Sequence, residues 1–189
     1  MKDFLNIMWL FNIDNTTRDI IRLNIDEAAL LWKYAEDVRT NEHPIRILEI
    51  GRYWGGSTVL LLLATDYCNE PVEIISIDII DGCHDPRVDE WLQEYYQTER
   101  LQLIVGDSRT LETEKLSLLF IDGDHSYEGV KADTYQHWNS LEGFALFHDY
   151  QDETTPGVTK FLDEFIEQGY AEKVEQVSSM LVLKKLKEI

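Results

Sequence analysis

At 189 residues the chain has room for one domain with a substantial core, and not for a nucleotide-binding domain followed by a large second one. Its 36 Asp and Glu against 17 Lys and Arg give a formal charge of -19, a surface that repels a phosphate backbone and argues against nucleic acid as a partner. The two cysteines, Cys68 and Cys83, lack the second pair that a zinc ribbon or a disulfide framework requires, so a reducing cytoplasm is the expected setting.

In chain order, Phe4, Leu5, Met8, Trp9, Leu10 and Phe11 come first, an apolar patch broken by Asp3 and Asn6 with no small-residue cleavage site after it. Neither a signal peptide nor a membrane span is expected. Residues 1–40 read as an N-terminal helical region: a packed helix, a lid, a substrate element or a contact in a homo-oligomer. Within it the spacing predicts a helix over 24–37. Asn24 can cap it, Glu27 holds the capping-box position, and Ile25, Ala28, Ala29, Trp32 and Ala35 share one face. His43 and Pro44 end the helical run.

From Ile45 onward apolar strands alternate with helices. The predicted strands are 46–50, 73–77, 101–105, 118–122 and 144–147, mostly continuous apolar runs of the kind found in parallel sheets covered on both faces. A doubly wound α/β sheet in a single domain follows. The first strand enters a glycine-rich turn, Glu49-Ile50-Gly51-Arg52-Tyr53-Trp54-Gly55-Gly56-Ser57-Thr58. Its spacing is Glu-x-Gly-x-x-x-Gly-Gly and not Gly-x-Gly-x-x-Gly. A pyrophosphate would be repelled by Glu49, whereas a cationic ligand would suit it. Gly51, Gly55 and Gly56 allow close approach of a cofactor, and Ser57 or Thr58 can cap the next helix. Trp54 either lies over that cofactor or packs on its own helix.

Near the C-terminus, Thr155 as cap and Pro156 at the first helical position open a helix with Val158, Phe161, Leu162, Phe165 and Ile166 on one face, and Gly169 closes it. Strands over 171–177 and 180–185 are joined around Ser178 and Ser179. So short a link forbids a parallel crossover, so these strands pair antiparallel and one reversed strand ends the sheet.

Ligands of open α/β sheets gather outside the carboxyl ends of the strands. Each end is polar here: Glu49 and Gly51; Asp78; Gly106, Asp107 and Ser108; Asp122, Gly123, Asp124 and His125; His148 and Asp149. Asp78 can accept both hydroxyl protons of a ribose. Asp107 can accept from an adenine amino group with Ser108 beside it, or serve as a turn residue.

With "IDGDHSYEGVKAD" at Ile121 to Asp133 and "FHDY" at Phe147 to Tyr150, the chain resembles the class I S-adenosylmethionine-dependent methyltransferases. It is most similar to their small-molecule O-methyltransferase-like branch, the methyltransferase 24-like proteins. The resemblance implies a Rossmann-like sheet of about seven strands, mostly parallel with the last antiparallel. It implies S-adenosylmethionine as cofactor and a small-molecule hydroxyl as acceptor. Glu49 and Gly51 would border the methionine part, with Trp54, Gly55, Ser57 and Asp122 around it. Asp78 would hold the ribose, and Asp107 and Ser108 would border the adenine.

Metal-dependent relatives carry oxygen ligands at the ends of the fourth and fifth strands, and Asp122, His148 and Asp149 match those positions. Histidine nitrogen suits manganese, iron or zinc better than magnesium. Adjacent residues of a strand face opposite ways, so His148 and Asp149 can both ligate only if the strand has ended. With a divalent ion, Asp122 would help activate the acceptor; without one, His148 or His125 would take the proton. His125 has a second reading as the cap of a helix beginning near Tyr127. A noncatalytic cofactor-binding protein and a nicotinamide-dependent oxidoreductase are the competing classes, and the second lacks its glycine pattern.

Overall fold

The computed structural model describes residues 8–11, 20–38, 44–66, 68, 70–81, 86–93, 95 and 98–189. Among the expectations above, Phe4, Leu5, His43 and Cys83 lie outside the described residues. The elements run α1 (Ile25–Glu36), β1 (Ile45–Ile50), α2 (Gly56–Thr65), β2 (Val72–Asp78), α3 (Pro86–Gln93), β3 (Leu101–Val105), β4 (Leu116–Ile121), α4 (Tyr127–His137), β5 (Leu141–Phe147), α5 (Pro156–Glu167), β6 (Ala171–Val177) and β7 (Met180–Lys185).

One seven-stranded sheet has the order β3-β2-β1-β4-β5-β7-β6. β1 to β5 pair in parallel, and β7 pairs antiparallel with both β5 and β6. The reversed strand is therefore the last in sequence but not the last in space. Its hairpin partner β6 takes the edge, where Glu172, Lys173 and Val174 are exposed. Charge at that edge discourages further strand pairing.

Side-chain alternation sorts the core into two layers. Ile47 of β1 and Ile74 of β2 pack with α1, α2 and α3; Leu48 and Ile50 of β1 and Ile77 of β2 pack with residues of α4 and α5. The doubly wound expectation thus holds, and both faces of β4 are fully covered.

The caps differ in part from expectation. Asn24 accepts from the Asp26 and Glu27 amides, and Glu27 accepts from the Asn24 amide, so the capping box is complete. At α2 the N-cap is Gly55 in the left-handed region, φ 83, without a side-chain cap, so neither Ser57 nor Thr58 caps this helix. The Thr58 hydroxyl donates instead to Glu49. Thr155 occupies the N-cap position of α5 but makes no capping bond, and its hydroxyl donates to the Asp149 carbonyl at 3.3 Å. At α4 the cap is Ser126, which accepts from the Gly129 amide, and the capping role considered for His125 falls away.

Candidate active site

β1 and β4 are neighbours whose following helices leave on opposite faces of the sheet, so a crevice opens outside their carboxyl ends. It is a cavity of about 940 Å³ lined by residues from all five of the predicted strand ends.

The glycine loop forms one end. Gly51 has φ 91, and a Cβ there would stand 2.0 Å from the Asp122 carbonyl oxygen. The missing side chain makes room for the end of β4, and Gly51 also lines the cavity. Asp78 faces the cavity and also braces the loop. Its Oδ2 accepts from the amides of Arg52 and Tyr53 at 2.8 and 2.7 Å, and its Oδ1 from that of Ile80 at 2.8 Å. Oδ2 thus has both acceptor positions filled, and Oδ1 keeps one for a ligand hydroxyl.

Glu49 lies beneath this end, fully buried and outside the cavity lining. Its Oε2 accepts from the Thr58 and Ser76 hydroxyls at 2.5 Å, while Oε1 has no hydrogen-bond partner among the described residues. Burial pushes its pKa up, against those hydroxyls and the nearby Arg52. Trp54 stacks on Tyr53 with centroids 4.9 Å apart and does not line the cavity; Tyr53 does. Gly55 is likewise outside the lining, whereas Gly51 and Ser57 are within it.

At the β3 end Asp107 serves as the turn residue and also lines the cavity. Its Oδ1 accepts from the Arg109 amide at 3.0 Å, capping a short 3-10 turn over Ser108–Thr110. The Ser108 hydroxyl donates to Asp133, a buried acid of α4 whose pKa burial raises. Asp133 borders the cavity and was singled out by nothing in the sequence except its place in the motif quoted above.

The ends of β4 and β5 carry the reactive groups. β5 stops at Phe147, and Asp149 turns into the left-handed region at φ 62, so His148 and Asp149 point to the same place. His148 Nδ1 lies 3.1 Å from both Asp122 Oδ1 and Asp149 Oδ1. Its Nε2 lies 3.3 Å from Glu27 Oε2 and 3.4 Å from the Ser179 hydroxyl. Burial opposes charge on this ring, but the carboxylates of Asp122, Asp149 and Glu27 prevail and hold it protonated well above the usual histidine range.

His125 differs. Its Nδ1 pairs with Asp149 Oδ2, its Nε2 has no partner among the described residues, and its side chain is 43% exposed on the cavity. The hydrogen bond to Asp149 raises its pKa against the effect of burial. The two histidines therefore share one carboxylate and diverge in access.

Ligand atoms of Asp122, His148 and Asp149 lie within 4.8 Å of one another. Two oxygens and one imidazole nitrogen fit a borderline divalent ion such as manganese better than magnesium. An ion and the Nδ1 proton of His148 would compete for the same carboxylates.

Residues 48–150 match a family described as a methyltransferase domain. No curated protein matches the sequence. Among solved structures the chain is similar to the O-methyltransferase NovP, with TM-score 0.71 and 17% identity over 95% of this chain and 88% of that one. It is similar to the S-adenosylhomocysteine-bound methyltransferase PaMTH1 of Podospora anserina, with TM-score 0.67 and 18% identity over 100% and 89%. A protein of Clostridium thermocellum described as a putative rRNA-methylase also matches, with TM-score 0.64 and 13% identity over 86% and 97%. With its glycine loop, its acid-ended second strand and this match, the chain belongs to the methyltransferase-domain family, in the class I S-adenosylmethionine-dependent group.

Proposed function

We propose that the protein is an S-adenosylmethionine-dependent O-methyltransferase acting on a small-molecule hydroxyl, working as one cytoplasmic domain with residues 1–40 contributing to the acceptor end. One observation carries this reading: the acid closing β2 and a histidine paired to a carboxylate open into the same crevice. The first suits a ribose and the second a proton to be removed.

The chain's residues fit the cofactor. Asp78 offers the free position on its Oδ1 to a ribose hydroxyl, Asp107 and Ser108 line the crevice at the end assigned to the adenine, and buried Glu49 keeps an unpartnered oxygen beneath the loop. Bound S-adenosylmethionine supplies an electrophilic methyl group on a cationic sulfur. The protein's part is alignment and proton removal, because strong negative potential at sulfur would stabilise the reactant cation.

His125 is the better base. Its ring lines the cavity with Nε2 unpartnered among the described residues while Asp149 holds its Nδ1, the arrangement of an oriented general base. His148 has both nitrogens engaged and serves to hold Asp122 and Asp149 in place. Asp122, His148 and Asp149 would hold a divalent ion, which would polarise the acceptor oxygen. Turnover that survives a chelator assigns proton removal to His125; turnover lost and restored by manganese assigns activation to that set.

Calorimetry with S-adenosylmethionine and with S-adenosylhomocysteine tests the cofactor end. Asp78→Ala is expected to weaken both by roughly 10- to 100-fold, from charge-assisted hydrogen bonds worth about 1.5–3 kcal/mol each. Unchanged affinity refutes the ribose assignment. Labelled methyl transferred to an acceptor in a polyol and phenol panel supports the enzyme, and tight cofactor binding without transfer favours a noncatalytic binding protein.

A further inference from the structure

We propose that Glu27 is a positioning residue of the site: its carboxylate fixes the ring of His148 and so makes the placement of α1 part of the geometry around Asp122 and Asp149. This rests on the functional reading above only in taking that cluster as the acceptor end.

A capping-box glutamate needs one oxygen for its task, and Glu27 Oε2 performs it by accepting from the Asn24 amide at 2.9 Å. Such a residue ordinarily sits in solvent. Glu27 is 3% exposed and is engaged at both oxygens. Oε2 also faces His148 Nε2 at 3.3 Å, and Oε1 accepts from the amide and hydroxyl of Ser179 at 3.0 and 2.7 Å. Burying a carboxylate is costly unless it is paired, and a helix cap alone does not require that burial.

The geometry at His148 supplies the reason. Asp122 and Asp149 grip only the Nδ1 edge of the ring. A carboxylate on the opposite nitrogen fixes the orientation of the ring, the means by which functional imidazoles are commonly held. Because Glu27 belongs to α1 and Ser179 to the turn between β6 and β7, the clamp joins the two ends of the chain over the end of β5. A separate tether holds α1 elsewhere: Lys33 and Tyr34 bond to Glu175 of β6 at 2.7 and 3.1 Å, out of reach of His148. Docking of the helix and orientation of the ring can therefore be separated.

Histidine-ring 15N correlation spectra of the full-length, ligand-free protein at constant pH, assigned with a His148→Gln variant, read the ring directly. Thermal melting reads the helix. Glu27→Ala is expected to lower Tm and move the His148 Nε2 signal. Glu27→Gln keeps an oxygen for the Asn24 amide and removes the charge that faces Nε2, so it should recover much of the Tm while the signal stays displaced in the direction set by Glu27→Ala, by a smaller amount. Tyr34→Phe should lower Tm and leave the signal in place. A His148 signal unmoved in both Glu27 variants, or displaced as far by Tyr34→Phe, overturns the proposal. A protein that ignores S-adenosylmethionine would refute the functional reading and leave these spectra as they are.

Discussion

His125 and His148 are chemically identical side chains given opposite tasks by their surroundings. One shares a single nitrogen with Asp149 and keeps its second unpartnered among the described residues; the other is ringed by Asp122, Asp149 and Glu27. His125→Asn is therefore expected to lower kcat by about 10²- to 10⁴-fold, the usual worth of a general base, with cofactor affinity unchanged. A variant with full turnover, measured by labelled methyl transfer, would remove His125 from the mechanism. In the sequence both histidines stood as candidate bases, and nothing near either ranked them. The difference depends on the left-handed turn at Asp149, which a non-glycine residue seldom makes and no local pattern announces. Glu27 was legible as a cap and hidden as a clamp, since His148 lies 121 residues away.

The elements were easier to read than their joints. Strands buried on both faces appear as unbroken apolar runs, so β1 to β5 were located to within a few residues, and the two-residue link at Ser178 required the β6–β7 pairing. The α2 cap was misassigned because the Thr58 hydroxyl serves buried Glu49, whereas Thr155 does hold the N-cap position of α5 but turns its hydroxyl to the Asp149 carbonyl. Gly51 lines the crevice, and its missing side chain also makes room for the end of β4. This predicts that Gly51→Ala damages the fold as well as binding. A Cβ would stand 2.0 Å from the Asp122 carbonyl at a φ of 91, combining overpacking with left-handed strain. Each effect costs about 1–3 kcal/mol, so urea unfolding should register a loss of at least about 2 kcal/mol without any ligand present. A wild-type midpoint would mean that the loop and β4 separate readily.

For the whole molecule, topology and charge answer different questions. The order β3-β2-β1-β4-β5-β7-β6 places the crevice, and structures sharing that arrangement include both an O-methyltransferase and a protein described as a putative rRNA-methylase. Fold alone does not choose between a small molecule and RNA. The charge of the chain argues against RNA. Acids outnumber Lys and Arg by 36 to 17, and the crevice itself is bordered by Asp78, Asp107, Asp122, Asp124, Asp149 and Asp152 against Arg22, Arg52 and Arg109. RNA binding draws most of its affinity from cations that neutralise phosphates and release counterions, an attraction that is strongest at low salt. A fluorescently labelled structured RNA should therefore show no change in anisotropy with this protein even at about 50 mM salt, where a basic enzyme would bind most tightly. It should also leave the calorimetric affinity for S-adenosylmethionine unaltered. Binding that weakens steeply with added salt would locate a basic face that the overall charge conceals, and would turn the acceptor assignment toward nucleic acid.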